Sequence, residues 1–307
     1  MKKLALTMAA LLLCWHGAGG APCHAEEASP TESARELMIS SPLEWPGKTW
    51  EAGVDGVWLP RSNSSDAGGG ISMTEAKLKF ARTFRVNDRL KPTPDLTYSE
   101  LQVSAPYSAR LPEHLQTLSL GLRGDYRAGP KLSLSALFAP GLAGDFRQVG
   151  ADDLRVRLGV TGRYLASDRW TLLAGLIYQQ GNHALAAFPM VGALYRPDER
   201  WTFSLAAPRS GVSYAATRNL KLHLGAEFFS GEYQLHEERL GAKVVRYRDF
   251  RAVGGTELTM LDRLKLELNA GYAFARRFAF YEVFAAERPD LKVDPGVFGR
   301  AGLKLEW

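Results

Sequence analysis

Cysteine, histidine and long hydrophobic runs are scarce in this chain. Its 307 residues include two cysteines, Cys14 and Cys23, and six histidines. Both cysteines lie in the first 25 residues, so a processed chain without that stretch has no disulfide and no cysteine metal site. Downstream, no segment has 18 consecutive apolar residues, which excludes membrane-spanning helices. A net charge of +5 is too small an excess to indicate a partner nucleic acid.

Sequence motifs of common enzyme classes are also missing. The chain has no P-loop, H-E-x-x-H, C-x-x-C or EF-hand pattern. Residues 211–215 (GVSYA) approach the nucleophile elbow of hydrolases, but an elbow needs a helix after the serine and no helical pattern follows. We therefore interpret this segment as the start of a strand, and we predict no cofactor and no metal site.

The N-terminus has the composition of a secretory signal peptide. Two lysines precede an apolar run that ends at Cys14, and small residues follow up to Ala25. The run has about half of the ~20 residues that a spanning helix needs, so cleavage after Ala25 is favoured over a permanent anchor. A lipoprotein signal at Cys14 is the alternative, although Leu13 before it is not small. The exported chain is expected to start at Glu26.

Many later segments alternate between apolar and polar residues with the two-residue period of a β-strand. From 154 to 164, Leu158 and Val160 share the apolar face and Thr161 lies on the polar face. Similar segments run from 118 to 126, from 220 to 228 and from 264 to 274. They reach about ten residues, the length of a strand that crosses an outer membrane, whereas strands of soluble proteins usually have about five or six.

Aromatic rings and loop lengths favour a membrane barrel over a soluble sandwich. Trp170 and Tyr178 flank an apolar row about 20 Å apart in height, which approximates the two aromatic girdles of an outer-membrane barrel. Short connections near 86–92, 127–130, 166–168, 196–200, 217–219 and 259–263 alternate with longer ones near 60–70, 106–114, 139–152, 180–187, 230–244 and 284–296. The connection at 208–210 is a short one in a long position. Short periplasmic turns and longer external loops are typical of these barrels.

The patterns together predict an all-β protein, a transmembrane antiparallel up-and-down β-barrel of about 12–14 strands that follows a cleaved signal peptide. The predicted organisation is a signal peptide (1–25), an N-terminal extension that forms a periplasmic tail or a small plug (26–52), and the barrel (53–307). The count is twelve if the strand near 54–59 does not form. We expect a monomer in contact with lipid in the outer membrane of a Gram-negative bacterium.

The last segment carries an additional signal. Leu303, Leu305 and the terminal Trp307 alternate with polar residues. A terminal aromatic residue after alternating apolar residues is similar to the signal that the barrel-assembly machinery reads in outer-membrane proteins. We therefore expect these three residues to bind that machinery.

The second half of the chain resembles an uncharacterised family of bacterial outer-membrane β-barrels, known mainly as a domain of unknown function. The resemblance is carried by PMVGALYRPDERWTFSLAAPRSGVSY (189–214), LKLHLGAEFFSGEY (220–233), GYAFARRFAFYE (271–282) and FGRAGLKLEW (298–307). It implies the fold and the outer-membrane location. It implies no catalytic or binding residue.

Bases outnumber acids on the polar faces of the predicted strands. Arg123, Arg155, Arg157, Arg163 and Lys221 are the candidate lumen residues, and they suggest an interior that favours anions. Alternatively, such bases pair with acids of neighbouring strands and brace a closed wall. The eight bases and four acids on these faces are Lys77, Lys79, Arg123, Arg155, Arg157, Arg163, Lys221, Lys265, Glu75, Asp125, Glu227 and Glu267.

Three functions are compatible with such a barrel. The first is a narrow channel or transporter for small solutes, anionic ones if the basic face governs passage. The second is an enzyme acting on lipid or peptide, with His223 or His183 as its base, and the third is a structural or adhesive barrel without a pore. Only His114 and His236 remain besides these two after processing, and no Ser-His or Asp-His constellation is evident, so we predict that the protein is not an enzyme.

Overall fold

The computed structural model describes residues 49–180, 183, 186–206, 209–284 and 289–307. No helix within these ranges is long and apolar enough to cross a bilayer. The predicted signal peptide and residues 26–48 of the predicted extension lie outside the described residues. Three short 3-10 helices occur in the described ranges, at Tyr107–Ala109, Ala151–Asp153 and Glu238–Leu240.

The described residues form fifteen β-strands. In chain order these are Trp50–Ser64 (β1), Gly69–Arg82 (β2), Leu90–Ser104 (β3), His114–Arg127 (β4), Leu132–Gly144 (β5), Leu154–Leu165 (β6), Trp170–Gln179 (β7), Ala187–Tyr195 (β8), Trp201–Ala206 (β9), Arg209–Ala215 (β10), Leu220–Gln234 (β11), Ala242–Met260 (β12), Leu264–Val283 (β13), Leu291–Val293 (β14) and Gly296–Glu306 (β15).

Fourteen of these described strands close into an antiparallel barrel. Consecutive strands from β1 to β13 pair in chain order, and β15 pairs with both β13 and β1. The closing contact runs from Glu51 opposite Glu306 to Trp58 opposite Gly299. The remaining strand, β14, only extends the edge of β13 beyond the end of β15. The predicted up-and-down barrel is therefore confirmed at the upper end of the predicted strand count.

Side chains on the outer face of the barrel form an apolar belt. On β6, Leu158 and Val160 are 42% and 59% exposed, whereas Thr161 and Arg163 are 7% and 9% exposed. The apolar residues of this strand thus point outward, in the register that the sequence predicts. An outward apolar belt around a polar-lined interior is the arrangement that suits a barrel in lipid.

Aromatic side chains border this belt at both ends. At the end with the short turns, which we assign to the periplasm, the terminal Trp307 stacks on Trp50 with ring centroids 6.2 Å apart. Leu303 and Leu305 point outward beside them and are 40% and 41% exposed. Further rings at this end are Trp170, Tyr195, Trp201, Phe203 and Tyr214, and rings at the other end are Tyr178, Phe228, Phe250 and Phe274.

Several strands extend further than the sequence indicates. The connection expected near 60–70 is only a turn between Ser64 and Gly69, and the one expected near 230–244 begins after Gln234. The barrel also starts at Trp50 rather than at residue 53. Strand pairing continues outside the lipid, where the outer face no longer has to be apolar, so the period-two pattern fades before the strand ends.

Buried apolar side chains fill the interior near the extracellular mouth. They come from β1–β5, β11–β15 and adjoining loops, with Leu59, Ile71, Met73, Tyr247 and Phe278 among the most deeply buried. At the same end, Gln234 of β11 pairs with Gly144 of β5 across the barrel. The β11–β12 hairpin therefore leans over the mouth and packs against the opposite wall.

Candidate functional site

A cavity of about 210 Å³ lies inside the barrel beside the leaning hairpin, and we refer to it as the chamber. Residues of β3–β6 form one side of it, and residues 227–233 of β11 form another. Of the predicted lumen bases, Arg155 and Arg157 line the chamber. The other charged residues of its lining are Asp55, Glu75, Lys77, Asp95, Glu100, Arg209, Glu227, Glu232, Arg251 and Arg300.

The other three predicted lumen bases lie away from the chamber. Arg123 is 3.2 Å from the Asp125 carboxylate, and Lys221 is 3.2 Å from Glu257 near the periplasmic end. Arg163 is almost fully buried lower on β6. The predicted bases therefore face the interior at separate places and do not form one continuous basic face.

Ion pairs hold several acids of the chamber wall. Glu227 pairs with Arg300, with Nη1 3.2 Å from Oε2. Arg251, which is 1% exposed, donates from Nε to Asp249 at 2.9 Å and lies 3.9 Å from Glu75. These partners come mainly from β12 and β15, which the sequence-based comparison of bases and acids did not include. Part of the interior is therefore a braced wall, as the alternative hypothesis expects.

Arg155 differs from these paired arginines. Its Nη1 donates to the backbone carbonyl oxygens of Asp152 and Leu154 at 2.6 and 3.1 Å. Its buried Nε has no hydrogen-bond partner within the described residues. A guanidinium has five N–H donors, so Arg155 retains donor capacity toward the chamber. This is the arrangement expected of a side chain that receives an anion.

An apolar strip continues from the chamber along the inner faces of β5 and β7–β9. Leu137 and Ala139 belong to both the chamber lining and the strip. The remaining members of the strip are Leu173, Ile177, Phe188, Met190, Leu194 and Ala206. The sequence signal for this strip is visible in β7 and β8, which are apolar on both faces (WTLLAGLIYQ and AFPMVGALY). The chamber therefore combines an apolar surface with charged groups of both signs, six basic and six acidic.

The barrel wall is shorter at β9 and β10 than at the neighbouring strands. These strands have six and seven residues, fewer than the ~9–11 that span an outer membrane. Among the described residues, pairing between β8 and β9 stops at Gly192 opposite Ala206, and pairing between β10 and β11 stops at Arg209 opposite Glu227. The edges formed by residues 187–191 and 228–234 rise above these points. Among the described residues, this leaves a gap in strand pairing between β8 and β11, beside Met190 of the apolar strip.

His183 makes contacts across this gap in strand pairing. Its Nδ1 and Nε2 lie 2.9 and 3.1 Å from the carboxylates of Glu232 and Glu282, and its ring stacks on Tyr281 at 5.1 Å. Burial opposes a charge on the imidazole, but hydrogen bonds to the two carboxylates outweigh it and raise the pKa of His183 above its ordinary value. His183 thus links the β7–β8 connection to β11 and β13.

The other histidines do not assemble a catalytic relay in the part of the chain that is described. His223 faces Ser213 in register, but no hydrogen bond joins the two side chains, and its Nε2 is 4.0 Å from Glu267. His236 contacts Asp145 and Asp153 at 3.0 and 3.4 Å in the external loops. His114 is 2.8 Å from Glu100. The described residues contain no group of three or more His, Cys, Asp or Glu suited to a metal ion.

Comparison with known protein families identifies the family of this chain. The model of a domain of unknown function (DUF6268) matches residues 63–306. The chain belongs to the DUF6268 family. No curated protein matches it.

Solved structures share the fold of this DUF6268 chain. The COG4313 outer membrane channel from Pseudomonas putida F1 is 13% identical, with a TM-score of 0.50 over 86% of this chain and 97% of that chain. A deletion mutant of the TodX monoaromatic hydrocarbon channel is 12% identical, with a TM-score of 0.50 over 88% and 93% of the two chains. The closed barrel and its apolar belt make this DUF6268 protein an outer-membrane β-barrel.

Proposed function

We propose that this DUF6268 protein is a channel for small solutes and that its chamber binds anions that carry an apolar part. The observation that carries the proposal is the chamber itself, in which Arg155 of β6 lies on the same side as the apolar residues Leu137 and Ala139 of the neighbouring strand β5. Glu227 and Glu75 of the lining are already paired with Arg300 and Arg251, and Arg155 can attract an anion because the surrounding apolar wall screens its charge less than open water does.

The apolar strip gives the solute a second point of contact. Leu137 and Ala139 bring the strip to the chamber wall, and Phe229 lines the chamber from β11. Ligand sites of this kind combine apolar walls with a few polar groups that fix orientation. The TodX channel, which has a similar fold, is named for monoaromatic hydrocarbons, and an aromatic carboxylate such as benzoate would use both the strip and the base.

Planar-bilayer recordings test this function. In a potassium chloride gradient, the reversal potential is expected to favour chloride, and benzoate is expected to block the chloride current. Arg155→Gln should weaken the block about tenfold, because a charge-assisted hydrogen bond contributes ~1.5–3 kcal/mol. Neutral toluene at the same concentration controls for the apolar contact alone.

Arg218→Gln is the matched control. It removes the same charge from an exposed site near the periplasmic end, outside the chamber lining, and should leave both measurements unchanged. A cation-selective current would contradict the proposed preference. Absence of conductance from a well-folded preparation would favour the braced, closed interior instead.

A further inference from the structure

On the outer face of β12 and β13, aromatic residues give way to arginines just above the extracellular aromatic girdle. Phe228, Phe250 and Phe274 form a row across β11, β12 and β13, with centroids 4.5 and 6.0 Å apart. Above this row, Arg248 of β12 lies directly opposite Arg277 of β13. Two arginines therefore replace two aromatic rings on the same surface, one step further from the membrane.

A bulge in β13 creates this arrangement. The register shifts between Arg248 and Phe250, and Ala275 has a φ of 51°. After the shift, Arg276 points into the barrel and donates to Ser62 at 2.8 Å, while Arg277 points outward with 39% of its side chain exposed. In a regular strand the two arginines would exchange faces, so the bulge re-aims Arg277 to lie beside Arg248.

The positive charge of Arg248 and Arg277 is only partly balanced by acidic side chains. Arg277 forms an ion pair with Asp290, yet its buried Nε has no hydrogen-bond partner within the described ranges. No hydrogen bond or ion pair connects Arg248 to any other described residue. Like charges directly opposite each other on a sheet destabilise it. An external anion between the two guanidinium groups would remove that repulsion.

Nearby charged groups leave this positive charge largely in place. Arg246 lies on the same face one pair further out, with its guanidinium 5.0 Å from the Tyr281 ring, and adds positive potential. Glu232 is opposite Arg246 in the register and also binds His183, so it lies one pair beyond Arg248. Asp290 forms an ion pair with Arg277 and also interacts electrostatically with Arg248, so the two arginines share this carboxylate.

Height relative to the membrane identifies the class of anion. Aromatic girdles mark the membrane–water interface. One pair further along a tilted strand is about 5 Å higher, the level of lipid headgroups. Arginine forks match the geometry of phosphate oxygens and bind them bidentately. We propose that Arg248 and Arg277 bind a phosphate group, supplied by a lipid headgroup of the outer leaflet.

Native mass spectrometry of the full processed chain in detergent tests this site with diphosphoryl lipid A. We expect the wild-type protein to retain this lipid at least tenfold better than the same lipid with its phosphates removed. Arg248→Gln should reduce retention of the phosphorylated lipid about tenfold, and Arg248→Lys should reduce it less. Heat-modifiable migration on gels verifies folding, and Arg277→Gln replaces Arg248→Gln if that variant fails to fold.

Arg147→Gln is the matched control, since it removes an exposed base from the β5–β6 connection at the same end of the barrel. Displacement of the lipid by millimolar inorganic phosphate would assign the site to free phosphate, and resistance to displacement would assign it to the lipid. Equal retention by the wild type and Arg248→Gln would overturn the proposal. Equal retention of phosphorylated and dephosphorylated lipid would do the same.

Discussion

Replacing Ala174 with arginine is expected to destabilise the barrel more than the same replacement at Leu158, because the two positions lie at different depths in the bilayer. Ala174 is midway between the girdle residues Trp170 and Tyr178 on β7, four residues from each. Leu158 on β6 lies directly opposite Tyr178, at the level of the extracellular girdle. Both side chains face lipid.

The magnitude follows from strand geometry. Eight residues at ~3.3 Å each, tilted by ~40°, separate the two girdles by about 20 Å in height, so Ala174 is about 10 Å from either girdle. An arginine on the lipid face costs ~2–4 kcal/mol at the midplane and ~0–1 kcal/mol near an interface. We therefore expect Ala174→Arg to lower the free energy of unfolding by ~2–4 kcal/mol and Leu158→Arg by ~1 kcal/mol or less.

Reversible unfolding in guanidinium, followed by tryptophan fluorescence in lipid vesicles, measures both values. Ala174→Leu is the control for side-chain volume, because it adds bulk at the same place without charge and should cost little. Equal losses for the two arginine variants would refute the assigned depth of the belt. A larger loss at Leu158 would mean that the girdle residues do not mark the interfaces.

Three further outcomes are expected. Intact-mass measurement of protein from outer membranes should give a chain that begins at or near Glu26, and retention of residues 1–20 would contradict the predicted cleavage. Deletion of Trp307 removes the ring that stacks on Trp50 and the predicted assembly signal, so the variant should accumulate in the periplasm or be degraded; normal membrane levels would rule out this role. His183, whose pKa is raised by two carboxylates, should stabilise the fold fully below its unfolded pKa of about 6.5, and this contribution should disappear as pH rises through the higher folded pKa. His183→Gln should abolish that part of the pH dependence in urea unfolding, and an unchanged pH profile would contradict it.

The fold could be predicted from the sequence because lipid imposes a simple demand on every spanning strand. Each strand must present apolar side chains outward, so Leu158 and Val160 identify both the strand and its register. The order of short and long connections then gives the topology, since neighbouring strands of such a barrel are consecutive in the chain. Neither inference needs knowledge of which side chains meet inside.

The interior could be predicted only in part, because its side chains contact each other across strands and do not contact lipid. Asp249 and Arg251 form a fully buried pair on β12, and a single sequence does not show that Glu75 of β2 lies beside them. Ile177 and Met190 are apolar although they face inward, which reverses the usual expectation for a barrel lumen. The bulge at Ala275 reverses the faces of the residues after it, and strict alternation cannot reveal such a shift.

The short connection between Ala206 and Arg209, predicted near 208–210, is the sequence feature most closely tied to the chamber. A closed barrel loses strand pairing wherever two strands stop short, and above β9 and β10 the edges of β8 and β11 have no partner strand among the described residues. β11 recovers one pairing by leaning across the mouth to Gly144, where a side chain in place of the glycine would clash with Asp153 and Gln234. The shorter wall, the leaning hairpin and the chamber beneath it are therefore parts of one arrangement. The chamber therefore reaches the edge of β11 where Glu232 binds His183 of the β7–β8 connection, and Met190 of the apolar strip lies on the facing edge of β8.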